Sequence, residues 1–290
     1  MPSDPTKALV SMGNYFFKTQ VLEEALIDDA DDLSSKHDFG HNIIPKLVKM
    51  GCDVRIYDFS TNNIPGDPLN APSYWRDVGT VDSYFQANME LRSPLPTLNM
   101  YNRNWRIRTA QRDYPPARFV KHNLFSNIDV IDSLVCEGSI ISCKRLVESL
   151  IGYDCYLHAG AEVTESVFLS GCDIGSKARL NRVLLDKNCT IAPGVVIGED
   201  PEKDKERFPF ITPTGIVVLP KGTHVPKDGN VEFAHDMSFL LQNDPALKSI
   251  MSSFDGRYNT GLRSRHSHDS AGPRYQKYGP GALKGGAQPD

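Results

Sequence analysis

Asp77 stands in the stretch "SYWRDVGTVDSYFQANMEL" (73–91), behind an aromatic pair and an Arg and just ahead of a Gly-Thr turn that opens an amphipathic run. A carboxylate just ahead of a helix can cap it, but Thr80 is better placed for that job, which leaves the purpose of Asp77 open. Further along, Trp105, Arg106, Arg108 and Arg118 make a proline-punctuated segment cationic. Such residues either pin a linker to its neighbour or form an anion site. Lys203, Lys205, Arg207 and Lys221 read as solvated charges, and also as places where a phosphorylated effector could dock. His158, in "YLHAGAEV", is of the type that serves as general base in β-helical acyltransferases, but one His is a weak match to that chemistry. Six cysteines with no CxxC pair and no nearby His cluster argue against a zinc site and against a secreted disulfide framework.

Composition bounds the chemistry further. A formal net charge of -4 over 290 residues offers no broad basic field, so nucleic acid is not an expected partner. No apolar run approaches the roughly 20 residues of a membrane span, and "MPSDPTKALV" lacks the charged-then-apolar order of a signal peptide. The expectation is a soluble cytoplasmic protein without membrane partners. With 40% apolar residues the chain can bury cores in two domains of ordinary size.

The elements that would position Asp77 come from residues 1–91. "ALVSMGNYFF" (8–17) reads as a strand and "TQVLEEALIDDA" (19–30) as a helix. "DFGHNIIPKLVKMG" (38–51) reads as a second helix closed by Gly51, "CDVRIYDFS" (52–60) as an alternating strand, and "VDSYFQANMEL" as a third helix. The order β-α-α-β-α suits the end of an α/β domain and has too few strands to make a doubly wound sheet alone. Residues 92–130 read as a linker.

Residues 131–198 repeat. In rows of 17 they are IDSLVCEGSIISCKRLV, ESLIGYDCYLHAGAEVT, ESVFLSGCDIGSKARLN and RVLLDKNCTIAPGVVIG, aligned without a gap. Apolar residues recur six apart: Leu134, Ile140 and Leu146, then Ile151, Leu157 and Val163, then Phe168, Ile174 and Leu180, then Leu185, Ile191 and Ile197. Three apolar corners per row describe a three-sided parallel β-helix over 131–226, whose coils share a core none could form alone. Cys155, Cys172 and Cys189 fall in one column, so a structural ladder with spacing of roughly 4.8 Å is expected of them. Residues 227–290 offer short helices and then a polar, Gly- and Pro-rich tail expected to be disordered.

"SMGNYFF", "HDFGHNIIPKL", "YWRDVGTVDSYFQANMEL", "MYNRNWRIRT", "PPARFV" and "GVVIGED", in this order, resemble the ADP-glucose pyrophosphorylase family, the glucose-1-phosphate adenylyltransferases. The resemblance runs to about residue 220. It implies a nucleotidyltransferase α/β domain, partial here, followed by a left-handed parallel β-helix. The reaction implied joins ATP and glucose 1-phosphate into ADP-glucose with release of pyrophosphate, on the way to glycogen or starch. By the same resemblance Asp77 is the catalytic carboxylate that faces Mg²⁺, Ser11 hydrogen-bonds the glucose moiety, and Asp38 and Phe39 line the sugar pocket. Lys187 and Lys221 fall where relatives carry basic contacts to allosteric effectors, and a homotetramer is the implied assembly.

The chain departs from the family pattern in one respect. The GGxGTRL-type loop, the KPAVP-like segment, the first metal-binding Asp and the EKP lysine are not present. The chain by itself therefore has no evident ATP site, and the expected partner is a complementing N-terminal half. The alternative is a non-catalytic regulatory or oligomerisation module acting on a complete subunit.

Overall fold

A computed structural model describes residues 10–68, 71, 73–110, 112–121 and 128–227, together with 6 and 231. The reading of the tail beyond Lys227 lies, but for residue 231, outside the described residues. The chain separates into two compact units, residues 1–74 with 102–105, and residues 75–101 with 106–290.

The first unit holds helices α1 (Thr19–Ala30) and α2 (Ile44–Lys49). A π-helical turn, Phe39–Ile43, runs straight into α2. Asp38 caps that turn by accepting from His41 N at 2.7 Å, and Pro45 is tolerated because the first helical turn has no use for its amide. Gly51, at φ +77°, stops α2 as expected. Ile43 and Leu47 are the buried apolar side chains among the described residues of this unit.

The two strands expected at 8–17 and 52–60 do not form among the described residues. Their described backbone has no regular structure apart from the short 3₁₀ turn Phe59–Thr61 at the end of the second segment. A strand exists only when a neighbour accepts its hydrogen bonds, however well its residues alternate. Phe16 is fully exposed and Ile56 is 75% exposed, which is how unpartnered strand sequences look.

The second unit is the coiled one. Sixteen short strands among the described residues form three parallel sheets of six, five and five strands. In the first sheet Phe119, Ile141, Leu157, Ile174, Ile191 and Val225 stack in one column. Leu146, Val163, Leu180 and Ile197 stack in the second, and Val135, Ile151, Phe168, Leu185 and Leu219 in the third. From Ile141 onward these columns make one buried core.

The register corrects the gapless alignment in its first row. The inward residues there are Val135 and Ile141, because Leu134 pairs with Leu150 and Ile140 with Tyr156, 16 residues on. The corner between Ile141 and Arg145 is one residue shorter than its successors. The ladder also begins earlier than expected: its first strand, Arg118–Phe119, lies inside the segment read as linker, and the second, Asp129–Ile131, straddles the end of that segment. "YPPARFV" is therefore the start of the solenoid.

Corners hold the coils in step. Asp132, Glu148, Glu165 and Arg182 occupy equivalent corners with φ between +42° and +55°. After the first three come Ser133, Ser149 and Ser166. Each serine Oγ accepts the amide of the next coil, Ser149 N, Ser166 N and Val183 N, all at 3.1 Å. Ser149 and Ser166 are fully buried, so these bonds satisfy amides that no water reaches.

Helix α3 (Val81–Glu90) carries a capping box in which Thr80 and Ser83 satisfy each other's amides. Its Phe85 and Met89 bury against Val167, Leu184 and Ile216 on the outer face of the third sheet. Asp82 Oδ1 accepts from Thr214 Oγ1 at 2.5 Å. Between the fourth and fifth coils the charge run expected to be solvated is helix α4 (Pro201–Arg207). Its Asp204, 2% exposed, accepts from Gly198 N at 2.7 Å and pairs with Arg207 at 2.5 Å. The ladder then resumes without a change of register, Leu185 pairing with Leu219.

Candidate functional site

In the first unit, Ser11, Asp38 and Phe39 gather around Tyr15. The hydroxyls of Ser11 and Tyr15 are 2.8 Å apart, and Ser11 Oγ also accepts from Gly13 N at 3.2 Å. The Tyr15 ring stacks on Phe39 with centroids 5.7 Å apart, and Phe17 stands 5.9 Å from Phe39. Gly40 lies between the two polar groups: a Cβ there would be 3.3 Å from Asp38 Oδ1 and 3.8 Å from the Tyr15 hydroxyl. An aromatic wall with hydroxyl and carboxylate groups at its rim suits a ligand that has an apolar face and a ring of hydroxyls. The backbone amide of His41, then its ring, hold Asp38 below the usual aspartate range. One Asp38 oxygen is spent on that cap.

Tyr15 and Phe17 were not singled out from the sequence. Their place in the cluster comes from contacts with Phe39, which no local pattern in the sequence announces.

Asp77 belongs to the second unit. It is exposed and its Oδ1 accepts from Gly79 N at 2.9 Å. Trp75, two residues earlier, is also exposed. Magnesium takes six oxygen ligands, several of them water or substrate phosphate. Among the described residues no three His, Cys, Asp or Glu side chains converge to hold a metal. Asp77 thus fits a single ligand of such an ion, and the chain's described residues do not make a whole site.

Lys187 and Lys221 are brought together. They occupy stacked turns of successive coils, Gly222 N donating to Lys187 O at 2.8 Å, and both are exposed. Beside them an open apolar groove of about 330 Å³ is lined by Tyr84, Leu184, Phe210 and Pro220, with Asp186 at its edge. Lys203, Lys205 and Arg207 are instead committed to Asp200, Glu202 and Asp204 on their own helix.

His158 Nε2 lies 2.7 Å from Asp173 Oδ1 in the next coil, and its ring packs against Tyr156 at 3.8 Å. The pair is a ladder contact between neighbouring strands. Cys155, Cys172 and Cys189 are buried and donate to carbonyls of the corner, among them Leu169 O at 3.2 Å from Cys155 Sγ. Burial pushes the thiol of Cys143 up to about 12. Their burial in the corner makes Cys155, Cys172 and Cys189 packing groups.

Family models match two stretches of the chain: nucleotidyl transferase over residues 1–93, and the GlmU-like C-terminal hexapeptide over residues 115–219. A glucose-1-phosphate adenylyltransferase of Arthrobacter sp. (strain FB24) is 38% identical over 271 residues, 93% of this chain and 58% of the relative. Glucose-1-phosphate adenylyltransferase 1 of Vibrio vulnificus (strain YJ016) is 44% identical over 225 residues, 78% and 54% respectively. The enzyme of that name from Pseudarthrobacter chlorophenolicus is 41% identical over 232 residues, 80% and 49%. The chain spans about half the length of the curated relatives it matches.

Proposed function

The chain belongs to the glucose-1-phosphate adenylyltransferase family, and we propose that it is the sugar-phosphate and β-helix half of such an enzyme. The reaction joins ATP and glucose 1-phosphate. A phosphate oxygen of the sugar attacks the α-phosphorus of ATP, the bond to the β-phosphate oxygen breaks, and pyrophosphate leaves with the electron pair. The observation that carries this reading is the cluster of Ser11, Tyr15, Asp38 and Phe39, within a segment matched by the nucleotidyl transferase model.

In this reading Ser11 and Asp38 bind glucose hydroxyls while Tyr15 and Phe39 exclude water from one face of the ring. Holding the sugar rigidly turns an encounter of two anions into a directed approach. Magnesium, when bound, neutralises charge on the crowded phosphates. Asp77 is the carboxylate this half offers to it, with further ligands supplied by the nucleotide and by a complementing N-terminal half. The adenine and triphosphate sites are assigned to that half too.

Lys187 and Lys221, exposed in stacked turns, are assigned to an anionic effector. Each presents a point charge rather than the fork of an Arg, so the site favours a phosphate over a particular carboxylate geometry. A homo-oligomer in the cytoplasm completes the proposal.

The experiment is Mg²⁺-dependent pyrophosphate release from ATP and glucose 1-phosphate. The 290-residue chain is assayed alone and together with the separately expressed N-terminal half of the Vibrio vulnificus relative. Turnover only in the mixture supports the proposal. Turnover by the chain alone would refute the assignment of the nucleotide site to another half, and the absence of glucose 1-phosphate binding to the chain in a parallel calorimetric titration would refute the sugar site.

A further inference from the structure

The buried carboxylate of Asp29 has no role in the reading above. It sits in the last turn of α1, only 5% exposed, where the helix dipole opposes a negative charge. Burial and dipole both disfavour it, so its bonds must offset them. Both oxygens are engaged. Ser35 Oγ donates to Oδ1 at 2.7 Å, and His37 Nδ1 lies 2.9 Å from Oδ2. The same Ser35 hydroxyl oxygen accepts from His37 N at 3.0 Å. Asp29 therefore grips His37 by its ring and, through Ser35, by its backbone.

His37 is gripped at an unusual point of the chain. Its φ is +55°, the left-handed region that a side chain other than Gly, Asn, Asp or His rarely adopts. The next two residues are Asp38 and Phe39. A reversal of φ at residue 37 redirects the chain just ahead of both, and the capping bond of Asp38 to His41 N depends on where it emerges.

We propose that His37 is a positioning residue for the sugar pocket: Asp29 and Ser35 hold its left-handed turn, and the turn delivers Asp38 and Phe39 to Ser11 and Tyr15. The proposal rests on the reading of that cluster as the glucose 1-phosphate site. With Asp29 ionised, the ring donates to Oδ2 from Nδ1. Losing one hydrogen bond to a buried charged acceptor costs about tenfold in whatever depends on it.

The test is calorimetric titration of the full chain with glucose 1-phosphate, with the methyl signals of Ile43 and Leu47 reporting on the packing of the unit. His37→Ala, which loses both the ring and tolerance of the turn, is expected to bind about tenfold more weakly with the methyl signals unmoved. His37→Gly keeps the turn and loses the ring, and falls between. His37→Asn, which accepts the left-handed turn and offers an amide to Asp29, is expected within about threefold of the natural chain. Equal affinity across all four chains would overturn the proposal while leaving the sugar site intact. No binding by the natural chain would overturn the sugar site itself, and with it this role for His37. Should His37→Ala lose the methyl signals, Ser35→Ala carries the test: weaker binding supports the role and unchanged binding defeats it.

Discussion

Tyr15 does two jobs with one side chain, its hydroxyl 2.8 Å from Ser11 Oγ and its ring on Phe39. They can be separated. Tyr15→Phe keeps the stack and removes the bond, and is expected to weaken glucose 1-phosphate binding about fivefold, whereas Tyr15→Ala loses both and weakens it further, by titration calorimetry. Asp38 gives a pH prediction whose sign is fixed. Its folded pKa lies below the ordinary value, chiefly because His41 N donates to it, so the cap is fully present above the usual aspartate range and is lost as pH falls through the lower, folded value. The His41 amide resonance should therefore shift with a midpoint below the ordinary aspartate pKa. A midpoint at or above that value would remove the cap as the cause. Asp38, Phe39 and Ser11 were singled out one by one because each stands in a short motif that resembles the family's. Tyr15 was not, because what gives it meaning is a contact with Phe39, 24 positions away in the sequence, that no local pattern announces.

The elements were legible in proportion to how local their bonding is. Helices α1, α2 and α3 follow from apolar spacing and end signals within a few residues, and Thr80 rather than Asp77 caps α3, as its position suggested. The coils were legible because a repeat announces its own partner: Ile174 finds Ile191 one period on. The strands read at 8–17 and 52–60 required partners that nothing in their own residues supplies. Serine in the corner is the finer signal that periodic apolar counting passes over. Ser166→Ala leaves the buried amide of Val183 without its acceptor and should lower stability by about 1–3 kcal/mol, read by chemical denaturation of the β-helix signal. A larger effect is expected at Gly198, whose φ is +83° and where a Cβ would sit 1.7 Å from Asn181 O. Gly198→Ala must move backbone in two coils at once, and a melting temperature equal to the natural chain's would show that the close approach is relaxed in solution.

For the whole chain, the two matched stretches differ in self-sufficiency. The coils bury their own core and close their own hydrogen bonds, while Phe16, Leu33 and Ile56 of the first unit stand in solvent. Limited proteolysis is expected to cut first among residues 10–74 and to leave the coils from about residue 115 as a resistant fragment. Protection of the first unit on adding the N-terminal half of a relative would mark those side chains as contacts. The excursion between the fourth and fifth coils has a consequence in time. Steps along the central ladder join residues 16 or 17 apart, whereas Val183 reaches Val217, 34 residues on. Doubling a closing loop adds about 0.6 kcal/mol of entropic cost, a factor of about three in rate. During refolding the amides of residues 217–219 and 224–225 should therefore gain protection from hydrogen exchange after those of the fourth coil. The anchor of α4 at Gly198 N shortens the effective loop, so Asp204→Ala should delay that last coil further while leaving the earlier ones on time. The solenoid, on this account, winds from its middle and is finished last at the coil that carries Lys221.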